Sequence, residues 1–179
     1  VDDDYPYDLA VRPSAGHRAK RIVELIESRP EIDVTFMRRM HLDVVSTMAR
    51  KVIRRVSRLE VGEDLAPIVA LMSRWDATLS LDSAAGAVYE ICCREIVKLA
   101  LAEVLEDQPL SSNQTWWWLE HVLDDPNSPW FDLGNGETRD DVMRKALRRT
   151  VDFLRSACGP EPADWAWGKL HKITYGHVL

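Results

Sequence analysis

The sequence predicts a mainly α protein of about six helices, with irregular ends and a short C-terminal strand. Three observations carry this. Apolar residues recur every three or four positions over most of the chain, the period of one helix face. The breaks between these runs hold Pro, Gly, Asp and Ser, which stop or cap helices. Only the closing stretch, DWAWGKLHKITYGHVL, leaves the helical period and alternates like a strand. The chain therefore divides into an irregular lead-in (1–13), a helical domain (14–159), and a Trp-rich loop with a strand (160–179).

The first helix starts near Ser14 and carries HRAKRIVELIES, with Ile22, Leu25 and Ile26 at core spacing; Pro30 ends it. Asp33 caps a second helix over roughly 34–59. There Met37, Met40, Val44, Met48, Val52 and Val56 form the apolar side, opposite Arg39, Asp43, Arg50 and Arg54. A third helix covers about 63–75, with Pro67 in its first turn. The segment WDATLSLDS breaks the pattern. The fourth helix, about 83–106, is apolar around most of its circumference. Glu90, Arg94 and Lys98 form its polar strip, so it is expected to be the central, mostly buried element. Ser111, Ser112 or Asn113 caps a fifth helix through TWWWLEHVL, and DDPNSPWFDLGNGE is a loop. Thr138, Asp140 and Asp141 open a sixth helix, where acids suit the positive end. It runs to Cys158, with Gly159 as its stop.

At 179 residues the chain has the size of one domain able to bury a core. Its 46% hydrophobic and 29% charged residues exclude global disorder. A formal charge of −6 disfavours nucleic acid and anionic membranes as partners. No apolar run reaches the roughly 18 residues of a membrane span. The start, VDDDYPYDLAVRP, is acidic and unlike a signal peptide, and without Met it reads as a processing or expression boundary. Cys92 and Cys93 are adjacent in an apolar run and Cys158 stands alone, so buried free thiols are expected rather than a disulfide framework.

No motif for a self-contained active site is present: no GxSxG, P-loop, GxGxxG, HExxH or Cys/His zinc spacing. No cofactor is called for. His171 and His177 share a face of the expected strand; they are a metal pair or, more simply, hydrogen-bonded packing, since metal sites usually need a third ligand. Arg38, Arg39, Arg50, Lys51, Arg54, Arg55 and Arg58 make 34–59 basic. They form a nucleic-acid surface or, better suited to an acidic chain, a solvated face paired with acids on neighbouring helices. Trp116, Trp117 and Trp118 cannot all face one way, because successive helical residues turn by about 100°. One or two belong in the core and the third to a groove or an interface.

HRAKRIVELIESRP, HLDVVSTMAR, RWDATLSLDSAAGAVYE, WWWLEHVLDDPNSPWFD, ETRDD and DWAWGKLHKITYGHVL follow one another in this order. From Arg18 to Leu179 the chain resembles the penicillin acylase (penicillin amidase) family of N-terminal nucleophile hydrolases, as an internal, mostly helical segment of the larger (beta) subunit. The W-x-W-G-x-L-H tail and the W-D…D-S-A-A segment weigh most. The resemblance implies an amidohydrolase that splits N-acyl bonds, such as those of β-lactams or acyl-homoserine lactones. An N-terminal serine attacks the amide, its own α-amino group is the base, and an asparagine and backbone N–H groups hold the oxyanion.

Serine nucleophile and asparagine are expected upstream of Val1, which has no hydroxyl, so the segment alone would be inactive. Its partners would be the small subunit and the hydrolase core, with a small-molecule N-acyl substrate in the intact enzyme. A periplasmic or secreted location is implied by the family alone. The resemblance also places a supporting active-site arginine at Arg18, matched by its spacing to Pro30. A guanidinium can hold an amide side chain and bias the local field; read without the resemblance, Arg18 is an exposed helix-start arginine. The family usually has Gln where His41 stands and H-P-L where this chain reads His177-Val178-Leu179. The competing function is a free-standing helical interaction module, built on the Trp cluster. The tail strand is expected to lack its sheet, leaving Lys169–His177 poorly ordered, folded back on the helices, or paired with another copy.

Overall fold

A computed structural model describes residues 16–105 and 112–176. Its helices are α1 (His17–Glu27), α2 (Val34–His41), α3 (Thr47–Val56), α4 (Ala66–Ser73), α5 (Ala84–Ala100), α6 (Ala102–Leu105), α7 (Ser112–Val122), α8 (Arg139–Cys158) and α9 (Trp167–Leu170). Short 3₁₀ turns cover Pro129–Phe131 and Pro162–Asp164. The mainly α class is as expected. The lead-in over 1–13, the cap at Ser111 and the end from His177 lie outside the described residues.

The most extensive packing is between α5 and α8, and α4, α7 and α9 also lie against α5. Burial follows the apolar circumference of α5: Ala85, Val88, Tyr89, Ile91, Cys92, Cys93 and Ile96 are all buried. From α8, Val142, Met143, Ala146, Leu147, Thr150 and Leu154 face inward at helical spacing. Glu95 is the polar exception on α5; it is buried and pairs with Lys98 at 2.7 Å and with Arg149 of α8 at 3.8 Å. Cys92 and Cys93 are free, buried thiols whose burial pushes their pKa up, to about 12 for Cys92. Neither is poised to react.

Expected caps are in place. The Asp33 carboxylate accepts from the Phe36 N–H at 2.6 Å. Thr138 and Asp141 close a reciprocal capping box at α8. Gly159 terminates α8 with φ 132 and ψ 167, a region essentially restricted to glycine.

Two expectations need correction. The helix foreseen over 34–59 is broken in two, α2 and α3. Asp43 Oδ1 accepts from the Val45 N–H at 3.2 Å and Ser46 Oγ from the Ala49 N–H at 3.1 Å. These short polar side chains offer the backbone an alternative to helix. The freed backbone pairs with the WDATLSLDS segment, where Val45 and Thr78 form an antiparallel bridge. Ser46 donates to the Ala77 carbonyl at 2.9 Å and Leu79 to the Val44 carbonyl at 3.0 Å. Similarly, the helix foreseen over 83–106 is interrupted at Leu101, between α5 and α6.

The second correction concerns the tail, which forms no strand among the described residues. Its Trp-rich part docks on the start of α5 instead. The Trp167 N–H donates to the Ser83 carbonyl at 3.2 Å and the Gly168 N–H to the Leu81 carbonyl at 2.7 Å. A Cβ at Gly168 would stand 3.1 Å from the Leu81 oxygen, so the close approach suits glycine. Trp165 is 1% exposed, and its indole N–H donates to the Gly159 carbonyl at 2.9 Å. Residues 171–176 then run exposed without regular structure.

Burial also departs from expectation at the N-terminal side. α1 and α2 contain no buried residue. Ile22, Ile26, Met37 and Val44, all at core spacing, are exposed, because nothing in the described chain covers those faces.

Candidate functional site around the first helix

α1 is held to the rest mainly by charge. Arg21 grips Asp43 with two parallel hydrogen bonds, Nε at 2.9 Å and Nη2 at 2.7 Å. Glu24 takes Arg21 at 3.0 Å and Arg50 of α3 at 2.8 Å. Lys20 reaches Glu120 of α7 at 3.1 Å. Three of the seven basic residues of 34–59 are paired with acids: Arg50 as above, and Lys51 and Arg55 with Asp124, each at 2.7 Å.

Hydrogen bonds from Arg21 hold the Asp43 carboxyl below its ordinary value, against an opposing effect of burial. Arg50 and Arg21 do the same for Glu24. A carboxyl depressed in the folded state stabilises the fold above its unfolded pKa, near 3.9 for Asp. That stabilisation disappears as the pH falls through the lower folded value. Asp43→Asn is therefore expected to cost about 1–3 kcal/mol at pH 7 and to flatten the acid limb of the urea midpoint plotted against pH. An unchanged acid limb would remove Asp43 from this account.

Behind this network lies a cavity of about 560 Å³. α1 contributes His17, Arg18, Arg21 and Leu25; the α2–α3 elbow contributes Met40, His41, Asp43 and Met48; α5 and α7 contribute Tyr89, Glu90 and Trp116. Tyr89 is buried, stacks on Trp116 at 5.7 Å and 15°, and shares a hydrogen bond of 3.3 Å with Ser46. His17 Nδ1 lies 3.2 Å from Thr47 Oγ1. Its Nε2 is buried 3.4 Å from Glu120 Oε2, yet makes no well-aligned hydrogen bond. Burial lowers the His17 pKa, and Glu120 offsets part of that. Burial raises the Glu90 carboxyl to about 6, while Arg94 pulls the other way.

Arg18 lies in the first turn of α1, exposed, in the rim of this cavity. The sequence singled out Arg18 alone; Arg21, Asp43, His17, Glu90 and Trp116 are gathered beside it by the fold. Glu90 had been counted in a polar strip with Arg94 and Lys98, which are exposed, but Glu90 is half-buried. His171 stacks on Trp167 at 5.0 Å, and its expected pair His177 lies outside the described residues. Of the three tryptophans, Trp118 is buried, Trp116 half-buried and Trp117 exposed against His121.

The family model for penicillin amidase matches residues 1–179, the whole chain. The chain belongs to the penicillin amidase family. No curated protein matches it. Its mainly helical architecture makes it a helical penicillin amidase domain, and family membership gives it an acyl-amidohydrolase character. Among the described residues, no helix is long and apolar enough to cross a membrane. The cavity has a charged rim on α1, while α5 and α7 bring Tyr89, Glu90 and Trp116 to its other side.

Proposed function

We propose that this chain is the helical part of an N-acyl amidohydrolase and is not catalytically competent alone. The family match over residues 1–179 carries this reading. The enzyme hydrolyses a linear amide to a carboxylate and an amine. A serine hydroxyl, deprotonated by its own α-amino group, attacks the amide carbonyl. The tetrahedral oxyanion is held by an asparagine and by backbone N–H groups. The amino group returns the proton to the leaving amine, and water then releases the acyl group from the serine. Serine and asparagine belong to the larger subunit upstream of these residues, in the hydrolase core that this domain joins together with the small subunit. The uncovered apolar faces of α1 and α2 support the existence of such neighbours. The family reading also carries a periplasmic or secreted location.

Arg18 is assigned a positioning role. Exposed at the start of α1, with no ion pair among the described residues, its guanidinium is free to hold the oxygen of the oxyanion asparagine and so to aim that amide's N–H at the oxyanion. In the complete enzyme, Arg18→Lys is expected to lower kcat by about 10²-fold with KM little changed. A raised KM at unchanged kcat would refute that role. The isolated chain is expected to leave a chromogenic N-acyl amide intact; turnover at the rate of a complete enzyme would sink the incompetence claim.

A second reading, a free-standing interaction module, is favoured by the exposed Trp117 and Trp130. A reading frame that continues upstream to a serine at a cleavage junction would exclude it.

A further inference from the structure

The cavity between α1, α5 and α7 has the Glu90 carboxylate in its lining. No hydrogen bond or ion pair among the described residues reaches Glu90, although it is half-buried in the cavity lining. A carboxylate drawn out of water is costly unless paired. Arg94, one turn along α5, is exposed and acts on Glu90 only weakly against burial. Next to Glu90 in sequence, Tyr89 fixes the Trp116 indole in the same cavity wall. A carboxylate and an indole lining one cavity are the elements that recognise an organic cation.

We propose that this cavity binds a small organic ammonium carried on an apolar body, with Glu90 as its counter-ion and Trp116 as its π-face. A volume of about 560 Å³ falls within the range of small-molecule sites.

The other charges around the cavity do not compete for this role. Arg21 is spent on Asp43 and Glu24, and Asp43 on Arg21. His17 is held towards its neutral form by burial. Arg18 and His41 are exposed, with solvent to screen them. An anionic ligand would meet Glu90 without a buried cation to offset it. The site requires no hydrolase chemistry, so it stands whether or not Arg18 serves a catalytic centre.

Isothermal titration of the full chain at pH 7.5 with phenethylamine, 2-phenylethanol and 3-phenylpropionate tests the charge preference. Saturable binding of the amine is expected, at least about tenfold tighter than the alcohol or the acid. Glu90→Gln should weaken the amine by a similar factor. Lowering the pH from 7.5 to 5 should weaken it in the native chain, because a protonated Glu90 loses the ammonium. Glu90→Gln should be indifferent to that pH change, which separates Glu90 from protonation of His17 or His41. If the variant fails to fold, the charge preference in the three-ligand series still decides. Equal binding of amine and alcohol, tighter binding of the acid, or no saturable binding of any would overturn the proposal.

Discussion

Trp165→Ala is expected to lower the unfolding free energy by about 3–5 kcal/mol, the range for removing a buried tryptophan. Two losses combine. Trp165 is among the largest fully buried side chains, so its removal opens a void where the post-α8 segment meets α5. Its indole N–H also satisfies the carbonyl of Gly159, the residue that terminates α8. Trp165→Phe keeps most of the apolar volume and loses the donor, so it should cost only about 1–2 kcal/mol. Urea denaturation followed by circular dichroism measures both. If Trp165→Ala cost under about 1 kcal/mol, the tail would not be part of the cooperative fold.

The other large effect is at the centre. Leu147→Ala is expected to cost about 2–5 kcal/mol, because a fully buried leucine in the α5–α8 seam leaves a cavity that rigid helices cannot close. Phe153 lies on the same helix but is 45% exposed. Phe153→Ala should therefore cost well under half as much, despite removing a larger side chain. Equal losses at the two positions, measured by urea midpoints, would contradict the assigned facing of α8.

The centre was legible because α5 and α8 announce themselves through period, composition and caps. An apolar run with one polar strip admits few placements other than the middle of a bundle. The elbow between α2 and α3 was not legible. Its apolar residues keep helical spacing straight through the break, while the turn is made by Asp43 and Ser46, which also occur on helix surfaces. The tail misled in another way. Alternation in HKITY resembles a strand, but the hydrogen bonds that decide its course belong to Trp167 and Gly168, reaching a loop some eighty residues earlier.

The candidate site was partly legible. Resemblance pointed to Arg18 by order and spacing of motifs, and the family model matches the whole of residues 1–179. The cavity beside Arg18 was hidden, since it is assembled from five separated helices. Glu90 looked like a surface residue because its strip partners are exposed; only the approach of α1 and α7 distinguishes it.

α1 is tethered by ion pairs rather than by buried side chains. Such contacts respond to ionic strength, whose screening length shrinks from about 10 Å at 0.1 M salt to about 3 Å at 1 M. Core contacts between α5 and α8 have no comparable dependence. The two halves of the molecule therefore answer to different solution variables. Added salt is expected to weaken the hold on the helix that walls the cavity while leaving the α5–α8 packing unchanged.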